Sequence, residues 1–325
     1  MKAWVRDRYG PPAVLALAEI EPPALGAGDV QVRVAYSSVN QADLDYLYGK
    51  PLLTRIAIGL RRPKSLRVGL DVAGVVEAVG SDVTTFMPGD EVFGDMTEFG
   101  HGAFAEVVTA PAHAYAPIPA GVSMEDAATT PQAGILAIQG LNAQGRIQPG
   151  QRVLINGASG SVGPFAVQIA KSMGAEVTGV ASTAKLAFVR SLGADHVLDY
   201  TRDDFTRLGQ RYDRILDMAA YHSIVDVRRA LTPTGVYIAI GGPLMNVFGA
   251  MIVGLPMRLA GKQRAGLPLW KPFRAEDVTI LSKMLVDGTI KPAIDQRFPL
   301  SHVPDALRYV DDDQACGKVV IAIPS

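Results

Sequence analysis

The sequence predicts an α/β protein in which a doubly wound domain with a parallel sheet is inserted into a β-rich domain. Three observations predict it. Short apolar runs separated by Gly, Pro and Asp fill the chain up to residue 122, strands and helices alternate from Ser123, and β character returns in the closing run KVVIAI. We therefore assign residues 1–122 and 289–325 to the β-rich domain and residues 123–288 to the parallel-sheet domain.

The N-terminal part is predicted to be a compact, barrel-like β domain. Val30–Tyr36 (VQVRVAY) alternates between apolar and polar residues, as a half-buried strand does. Further short apolar runs at Val72–Val79, Asp90–Gly94 and Ala103–Val108 are separated by turn residues. Many short strands joined in this way are typical of a small, nearly closed sheet.

In the middle of the chain, predicted strands and helices alternate, as a parallel sheet with right-handed crossovers requires. The predicted strands are Arg152–Ile155, Glu176–Val180, His196–Asp199, Arg214–Asp217 and Val236–Ile240. The predicted helices are a long one from Met124, then Ser161–Met173, Lys185–Leu192, His222–Leu231 and Ala275–Val286.

The composition excludes several classes of protein. Of the 325 residues 48% are hydrophobic and 19% are charged, and the formal net charge of −1 gives no overall electrostatic basis for binding nucleic acid or an anionic membrane. The single cysteine, Cys316, excludes an internal disulfide framework and a cysteine-rich zinc site. The N-terminus MKAWVRDRYGPP carries charges where a signal peptide needs an apolar region, so we expect a cytoplasmic protein.

One uncharged stretch, Ala230–Met257, is long enough to raise the question of a transmembrane helix. Its prolines and glycines break it into short pieces, so we predict no membrane span. Within it, Leu244–Met257 could border the substrate site, form a dimer interface or make loose membrane contact. The basic run RRPKSLR (Arg61–Arg67) is interpreted as a solvated loop that could border the same site.

The stretch INGASGSVG (Ile155–Gly163) follows a predicted strand and precedes a predicted helix, which is the context of a dinucleotide-binding loop. Gly157 can make the turn out of the strand, Gly160 lets the backbone approach a pyrophosphate, and Gly163 allows close packing of helix on strand. The N–H groups at the helix start face the anion. We predict that the cofactor is bound by Gly157, Ala158, Ser159, Gly160, Ser161, Val162 and Gly163.

The end of the next strand indicates which nucleotide is bound. Sites that prefer NAD place an Asp or Glu about twenty residues after the loop, where it accepts hydrogen bonds from the ribose. Here Ser182, Thr183 and Lys185 occupy that place, and hydroxyl and ammonium groups suit a 2′-phosphate. We therefore predict NADPH, with Ser182, Lys185 and Tyr200 around the adenosine. The alternatives are a surface role for Lys185 and a packing role for Tyr200.

Several segments spread over nearly the whole chain form a recognisable set. They are MKAWV with the following YG, SVN followed by AD, GLDVAGVVEAVGSDVTTFMPGDEVFG, the glycine loop, LGADHVLDY, and PLSHVPDALRYV with the closing GKVVI. In these segments the chain resembles a medium-chain dehydrogenase/reductase of the zinc-independent, quinone oxidoreductase-like branch. The resemblance implies a GroES-like β-barrel catalytic domain split around a Rossmann domain, the substrate in the cleft between them, and a homodimer.

The resemblance also bears on the chemistry. Zinc-dependent relatives carry a Cys and a Gly-His-Glu near the active site, where this chain has Gly69-Leu70-Asp71, so we expect no metal. Without a metal, the scaffold suits hydride transfer from NADPH to an acceptor whose conjugation stabilises the enolate that forms. We predict a small hydrophobic quinone or α,β-unsaturated ketone or aldehyde as the substrate.

By the resemblance, Asn40 lies near the nicotinamide, the pair Gly241-Gly242 follows the fifth Rossmann strand beside it, and Lys318 lies near the pyrophosphate. Many relatives have Gly-Leu-Thr where this chain has Gly134-Ile135-Leu136, so Thr129 or Thr130 would have to replace a cofactor contact. Relatives also often have an Arg where this chain has Leu47-Tyr48-Gly49. We therefore name Tyr46 and Tyr48, with Asn40, as the catalytic candidates.

Three alternatives remain open from the sequence. An acyl-thioester enoyl reductase or an alcohol dehydrogenase-like enzyme could be built on the same scaffold. The chain could also be a nucleotide-binding regulatory protein with little turnover, because the threonine contact and the arginine are missing.

Overall fold

A computed structural model describes residues 1–243, 245–246, 249, 252 and 262–324. The chain divides into two compact units. The first unit consists of Met1–Ile135, Pro272–Gly288 and Pro292–Ser325, and the second of Leu136–Lys271 and Thr289–Lys291. Residues 123–135 and 272–288 thus lie in the first unit, whereas the sequence boundaries assign them to the parallel-sheet domain. As functional domains, those boundaries stay a prediction.

Fifteen strands lie in the described part of the chain. They are β1 (Lys2–Val5), β2 (Ala16–Glu19), β3 (Asp29–Val39), β4 (Asp71–Val79), β5 (Glu91–Asp95), β6 (Val107–Pro111), β7 (Tyr115–Pro117), β8 (Arg152–Asn156), β9 (Glu176–Ala181), β10 (His196–Asp199), β11 (Tyr212–Asp217), β12 (Leu231–Ala239), β13 (Arg264–Gly266), β14 (Ile294–Pro299) and β15 (Lys318–Ala322).

Nine α-helices lie wholly within the described ranges. They are α1 (Gln41–Tyr48), α2 (Arg55–Ile58), α3 (Met124–Ala128), α4 (Pro131–Asn142), α5 (Gly163–Ser172), α6 (Leu186–Ser191), α7 (Ile224–Val227), α8 (Ala275–Val286) and α9 (Val303–Asp311).

The first unit is built on a seven-stranded sheet in the order β14-β15-β3-β4-β5-β7, with β6 also pairing with β3. All its neighbouring strands are antiparallel except β14 and β15, which are parallel. The long strand β3 alternates as the sequence predicts, burying Val30, Val32 and Val34 in an apolar core. The C-terminal strand β15 pairs with β3, so the end of the chain rejoins the N-terminal sheet as expected.

The second unit contains a six-stranded parallel sheet in the order β10-β9-β8-β11-β12-β13. Counted from β8, this order is 3-2-1-4-5-6, which is the doubly wound arrangement of dinucleotide-binding domains. Its strands are apolar on both faces, as in β8, where Val153, Leu154 and Ile155 are fully buried. The predicted fold class is therefore confirmed.

Some elements differ from their predicted bounds for identifiable reasons. The long helix from Met124 is two helices, because Pro131 has no N–H to continue α3 and starts α4 instead. The helix predicted at His222–Leu231 contains only one α-helical turn, α7, followed by a 3₁₀ turn. The strand predicted at Ala103–Val108 begins later, at Val107, and runs to Pro111.

The described residues include no helix that is long and apolar enough to cross a membrane. Within the uncharged stretch, the predicted strand Val236–Ile240 is observed as part of β12. Most of the apolar segment Leu244–Met257 lies outside the described residues, so the three roles considered for it are not addressed by the structure.

Candidate active site

The glycine loop in the second unit joins the end of β8 to the start of α5, as the sequence predicts. Gly157 has φ 84°, a left-handed conformation that favours glycine. At Gly163 a Cβ atom would lie 2.4 Å from the backbone of Ala158, so a glycine is needed for close packing of α5 on the strand end. These two glycines are therefore explained by the fold itself.

Gly160 differs from the other two because the fold does not require it. A Cβ at this position would meet nothing closer than the Gly157 carbonyl oxygen, at 3.6 Å. The residue is exposed, and no side chain caps the start of α5. The loop thus leaves open space beside an uncapped helix N-terminus with free N–H donors. That a pyrophosphate binds there stays a prediction.

The other loop residues surround this open side. Ala158 and Ser159 are buried, and Ser161 and Val162 are half-buried. The Cβ of Met218, in the turn after β11, lies 3.3 Å from where a Cβ of Gly157 would stand. The loop therefore rests on a second turn of the chain.

A buried polar network fixes that second turn. Asn156 Nδ2 donates to Asp217 Oδ1 at 2.8 Å, Tyr237 Oη donates to Asp217 Oδ2 at 3.0 Å, and the Ala219 N–H donates to Asp217 Oδ1 at 3.0 Å. Burial raises the pKa of Asp217, although these hydrogen bonds oppose the shift. Sequence reasoning missed this network, because its members come from the ends of three strands far apart in the chain.

Gly241 and Gly242 follow β12 and contact the same turn. A Cβ on Gly241 would lie 2.8 Å from the Met218 carbonyl oxygen, and one on Gly242 would lie 2.6 Å from the Ala220 nitrogen. The backbone of Gly241 and Gly242 therefore closely approaches the turn after β11. An approach to a nicotinamide remains a prediction.

The predicted adenosine residues lie after β9 and β10. Ser182 is half-buried, Lys185 is buried at 8% exposure, and Tyr200 is largely exposed. Near them, Thr183 Oγ1 donates to Asp199 Oδ2, and Thr201 Oγ1 donates to Asp199 Oδ1 at 2.7 Å. These hydrogen bonds lower the pKa of Asp199. Sequence reasoning overlooked this carboxylate.

In the first unit, Asn40, Asp71 and Lys318 form a buried polar cluster. Asn40 Nδ2 donates to Asp71 Oδ2 at 2.8 Å, and the Lys318 ammonium donates to Asn40 Oδ1 at 2.5 Å and lies 3.4 Å from Asp71 Oδ2. Asp71 also accepts hydrogen bonds from Ser38 Oγ and from the N–H of Gln132 at the start of α4. We call these five residues the polar cluster.

Strand register brings the polar cluster together. Ser38 lies opposite Asp71 in the β3/β4 pair and opposite Val320 in the β3/β15 pair, so the end of β3 and the starts of β4 and β15 meet. Asn40 follows β3 directly and begins α1. Since the three segments are far apart in sequence, only the sheet topology places them side by side.

Lys318, expected near a pyrophosphate, lies in the interior of the first unit. Its side chain is fully buried, and its ammonium donates to the Val39 carbonyl, Asn40 Oδ1 and Asp71 Oδ2. An ammonium has three N–H donors, and all three are used within the first unit. Lys318 is therefore a structural ion-pair partner of Asp71 in this structure.

Two more buried carboxyl groups lie near the polar cluster. Asp43 accepts a hydrogen bond from the Asn40 N–H at 2.8 Å, which fixes the start of α1. Asp95 accepts from the Thr97 N–H at 2.8 Å. Burial raises the pKa of Asp43 well above its usual range, and burial with the nearby Asp71 charge raises that of Asp95 to about 7. One buried oxygen of each carboxyl has no hydrogen-bond partner in the described part of the chain.

Tyr46 and His101 form a ring pair in the same unit. Their ring centroids are 4.6 Å apart, and His101 adopts the left-handed backbone conformation with φ 63°. Burial raises the pKa of Tyr46, and Asp95 and Asp43 add to the shift. Burial, helped by Arg6 and Arg67, lowers the pKa of His101 to about 4. Both side chains are therefore neutral near pH 7. Sequence reasoning did not identify His101 as a candidate.

Tyr48 does not join this group. Its hydroxyl donates to Asp311 at the end of α9, and that hydrogen bond is the main reason why the pKa of Tyr48 rises to about 12. Because this hydrogen bond engages the Tyr48 proton, Tyr46 is the stronger of the two tyrosine candidates. Thr129 and Thr130 donate their hydroxyl protons to the carbonyls of Asp126 and Ala127, so neither offers a free O–H for a cofactor.

Comparison with known proteins identifies the family of this chain. Residues 26–120 match the alcohol dehydrogenase GroES-like domain, and residues 192–321 match the zinc-binding dehydrogenase family. A chloroplastic quinone oxidoreductase of Triphysaria versicolor is 31% identical over 99% of this chain and 98% of its own. The chain belongs to the medium-chain dehydrogenase/reductase superfamily, in its quinone oxidoreductase-like branch.

Other members agree with this placement. A chloroplastic NADPH-dependent alkenal/one oxidoreductase of Arabidopsis thaliana is 30% identical over 99% of this chain and 79% of its own. The structure of the quinone oxidoreductase from Coxiella burnetii superposes with a TM-score of 0.88 at 29% identity, covering 100% of this chain and 99% of the other. From its similarity to such relatives, this medium-chain dehydrogenase/reductase is an oxidoreductase with a nicotinamide cofactor.

The residues of this medium-chain dehydrogenase/reductase do not fit the zinc ion that one family description names. Asp71 stands in the Gly-His-Glu position of zinc-dependent members, and its carboxylate is neutralised by the Lys318 ammonium, 3.4 Å away. Across the residues that the structure describes, no three His, Cys, Asp or Glu side chains converge as metal ligands.

Proposed function

We propose that this protein is a zinc-independent reductase that uses NADPH to reduce quinones or α,β-unsaturated ketones and aldehydes. The observation that carries the proposal is the glycine loop. Gly160 is a glycine that the fold does not need, beside an uncapped helix N-terminus, in a sheet with dinucleotide-binding strand order. The names of the relatives in Triphysaria and Arabidopsis support the acceptor class.

The bound nicotinamide would supply a hydride. In a conjugated acceptor the negative charge then moves to the carbonyl oxygen, so the protein must stabilise an enolate and supply a proton. We assign both tasks to the neutral pair Tyr46 and His101. A phenol kept protonated by burial and by two carboxyl neighbours can donate a hydrogen bond, and then a proton.

Asn40 takes a positioning role in this proposal. Both the oxygen and the nitrogen of its side-chain amide are hydrogen-bonded, since Oδ1 accepts from Lys318 and Nδ2 donates to Asp71. One amide N–H remains for a ligand. The polar cluster thus fixes the amide orientation, which an uncharged pair could not do as firmly.

The preference for NADPH over NADH rests on Ser182 and Lys185, with Tyr200 beside the adenosine. Asp199 is the only described feature that argues for NADH. Both of its carboxylate oxygens, however, already accept hydrogen bonds from Thr183 and Thr201. A ribose hydroxyl would have to compete with these bonds.

The decisive experiment is a substrate panel. NADPH oxidation should be followed with quinones, enones, enoyl thioesters and simple ketones. We expect turnover with quinones or enones. Turnover confined to simple ketones and their alcohols would overturn the proposal, and turnover confined to enoyl thioesters would favour an acyl-thioester reductase. NADPH binding by calorimetry without oxidation of any acceptor would indicate a regulatory protein.

A cytoplasmic homodimer completes the proposal. Light scattering after size-exclusion chromatography would measure the mass, which is 34.5 kDa for one chain. A monomer at working concentration would contradict the dimer, and would leave the catalytic proposal unaffected.

A further inference from the structure

Residues 52–67 of the first unit, which we call the basic apolar segment, combine two unusual properties. Five of its large aliphatic side chains are exposed to between 54% and 70%, namely Leu52, Leu53, Ile56, Leu60 and Leu66. The segment also carries five cationic residues and no Asp or Glu, and no carboxylate occurs anywhere between Asp45 and Asp71. The chain as a whole has a net charge of −1.

Two of the five cations, Arg55 and Arg67, are half-buried against the first unit, and the other three face solvent. Arg61, Arg62 and Lys64 are exposed, and within the described residues none of the three forms an ion pair. Their charges therefore face solvent without compensation. An uncompensated group of like charges attracts a surface of the opposite sign.

The exposure of the aliphatic side chains is not a consequence of a loose backbone. Tyr9 Oη donates to the Gly59 carbonyl at 2.6 Å, and Arg55 Nε donates to the Gly49 carbonyl at 3.0 Å. The Lys64 N–H donates to the Ile58 carbonyl at 2.8 Å, which closes a turn at Gly59. This turn ties the exposed aliphatic residues and the exposed cations to one small, fixed part of the surface.

We infer that the basic apolar segment is a docking surface for an anionic lipid bilayer. Exposed aliphatic side chains next to unpaired cations are what a peripheral membrane contact requires, because the aliphatic groups enter the acyl boundary while the cations meet the headgroups. A second copy of this chain is a poorer partner, since a two-fold contact would oppose three exposed cations to three. A nucleic acid is poorer as well, because the exposed side chains are aliphatic rather than aromatic.

The contact is peripheral. Among the described residues no helix could span a bilayer, so the segment would lie on the surface. The overall charge gives no reason to expect binding, and the attraction is local. It should therefore weaken steeply with salt, because the Debye length falls from about 10 Å at 0.1 M to about 3 Å at 1 M.

Vesicle co-sedimentation of the full chain tests the inference without cofactor or substrate, so its outcome does not depend on the proposed function. Vesicles of phosphatidylcholine alone are compared with vesicles that also contain phosphatidylglycerol. We expect binding only to the anionic vesicles, and its loss at high salt. The variant R61E/R62E/K64E should bind at least about 100-fold more weakly, from the contribution of each cation near an anionic surface.

The matched control is R146E/R211E/K291E, which makes the same change of charge at exposed cations of the second unit. It should bind like the original chain. A second variant, L52S/L53S/I56S, should bind about tenfold or more weakly, because three exposed aliphatic groups no longer enter the bilayer. Since all substituted residues are exposed or half-buried, unchanged thermal melting is expected and checks folding.

Several results would overturn the inference. The first is no binding of the original chain to anionic vesicles at low salt. The second is an equal loss of binding in R61E/R62E/K64E and in its control. Unchanged binding of L52S/L53S/I56S would show that only charge matters. Binding to heparin but not to vesicles would show instead that the partner is an acidic macromolecule.

Discussion

Tyr46 and Tyr48 lie two residues apart on α1, and their hydroxyl groups meet different surroundings. Residues at this spacing point to different sides of a helix. Tyr46 lies against His101, and its hydroxyl makes no hydrogen bond to any part of the chain that is described. The Tyr48 hydroxyl is bound to Asp311. The hydroxyl proton of Tyr46 is thus available for donation, whereas that of Tyr48 is engaged in a hydrogen bond.

We predict that Tyr46→Phe lowers kcat for enone or quinone reduction by about 100-fold, the usual contribution of a general acid. Tyr48→Phe is the matched control, and we expect its kcat to be unchanged. Steady-state kinetics with NADPH measures both. Equal kcat values for the two variants would remove Tyr46 from the proton-donating role, and equal NADPH affinities would show that binding is intact.

Lys185 carries the second prediction at the scale of a single residue. Lys185→Ala should raise the Kd for NADPH about tenfold to 100-fold, because a charge-assisted hydrogen bond to the 2′-phosphate is lost. The Kd for NADH should not change, because NADH has no phosphate at that position. Calorimetry with both nucleotides measures the two values, and Lys185→Arg serves as a charge-retaining control. An equal loss for both nucleotides would refute the assignment.

At the scale of elements, the glycine loop separates residues needed for folding from residues kept for a ligand. Sequence reasoning predicted the strand, the loop and the helix, because each is encoded locally by a short pattern. It also assigned Gly163 to the packing of helix on strand and Gly160 to the approach of a pyrophosphate, but it could not measure the space at either position. The difference lies in what a Cβ would meet, which is the backbone of Ala158 at 2.4 Å for Gly163 and only a carbonyl oxygen at 3.6 Å for Gly160.

We therefore predict opposite effects of two alanine substitutions. Gly160→Ala should keep the melting temperature and weaken NADPH binding at least about tenfold, because the new methyl group occupies space open to the pyrophosphate. Gly163→Ala should lower the melting temperature, because α5 must move off the strand end. Thermal melting with and without NADPH measures both effects. A Gly160→Ala variant with full NADPH affinity would mean that the cofactor does not approach this glycine.

The polar cluster shows where prediction from sequence ends. Asn40 and Lys318 were both identified from the resemblance, but their contact with each other was not foreseen. The role of Asp71 was not seen. These residues meet only through the register of β15, β3 and β4, and nothing in a local pattern encodes that register. The same holds for Asn156, whose hydrogen bond to Asp217 depends on the pairing of β8 with β11.

At the scale of the whole molecule, the near-zero net charge hides an uneven distribution. Near the polar cluster, three buried carboxyl groups, Asp43, Asp71 and Asp95, are accompanied by one ammonium, Lys318. If all four groups were ionised, two of the buried negative charges would have no counter-charge. Burial of uncompensated charge is costly, so protons must be retained on some of the carboxyl groups. The raised pKa values of Asp43 and Asp95 express this.

The stability of the protein should therefore depend on the protonation of Asp95. Its folded pKa of about 7 lies above the usual value of 3.8, so between these values the folded state binds more protons than the unfolded state. The contribution of Asp95 to the free energy of unfolding thus falls as pH rises from about 4 to about 7. Asp95→Asn resembles the protonated carboxyl and removes this dependence. We expect the variant to gain stability relative to the original chain between about pH 5 and about pH 8.

Asp199→Asn is the matched control, because hydrogen bonds from Thr183 and Thr201 lower the pKa of Asp199. The contribution of that carboxylate is lost only as pH falls below its usual range, so the difference between this variant and the original chain should stay flat from about pH 5 to about pH 8. Denaturant unfolding across this range measures both differences. The titration of His101 is the same in all three proteins, so it does not contribute to the differences in the free energy of unfolding. A flat difference for Asp95→Asn would mean that Asp95 is already ionised at pH 5, and that the buried proton is held by another carboxyl, such as Asp43.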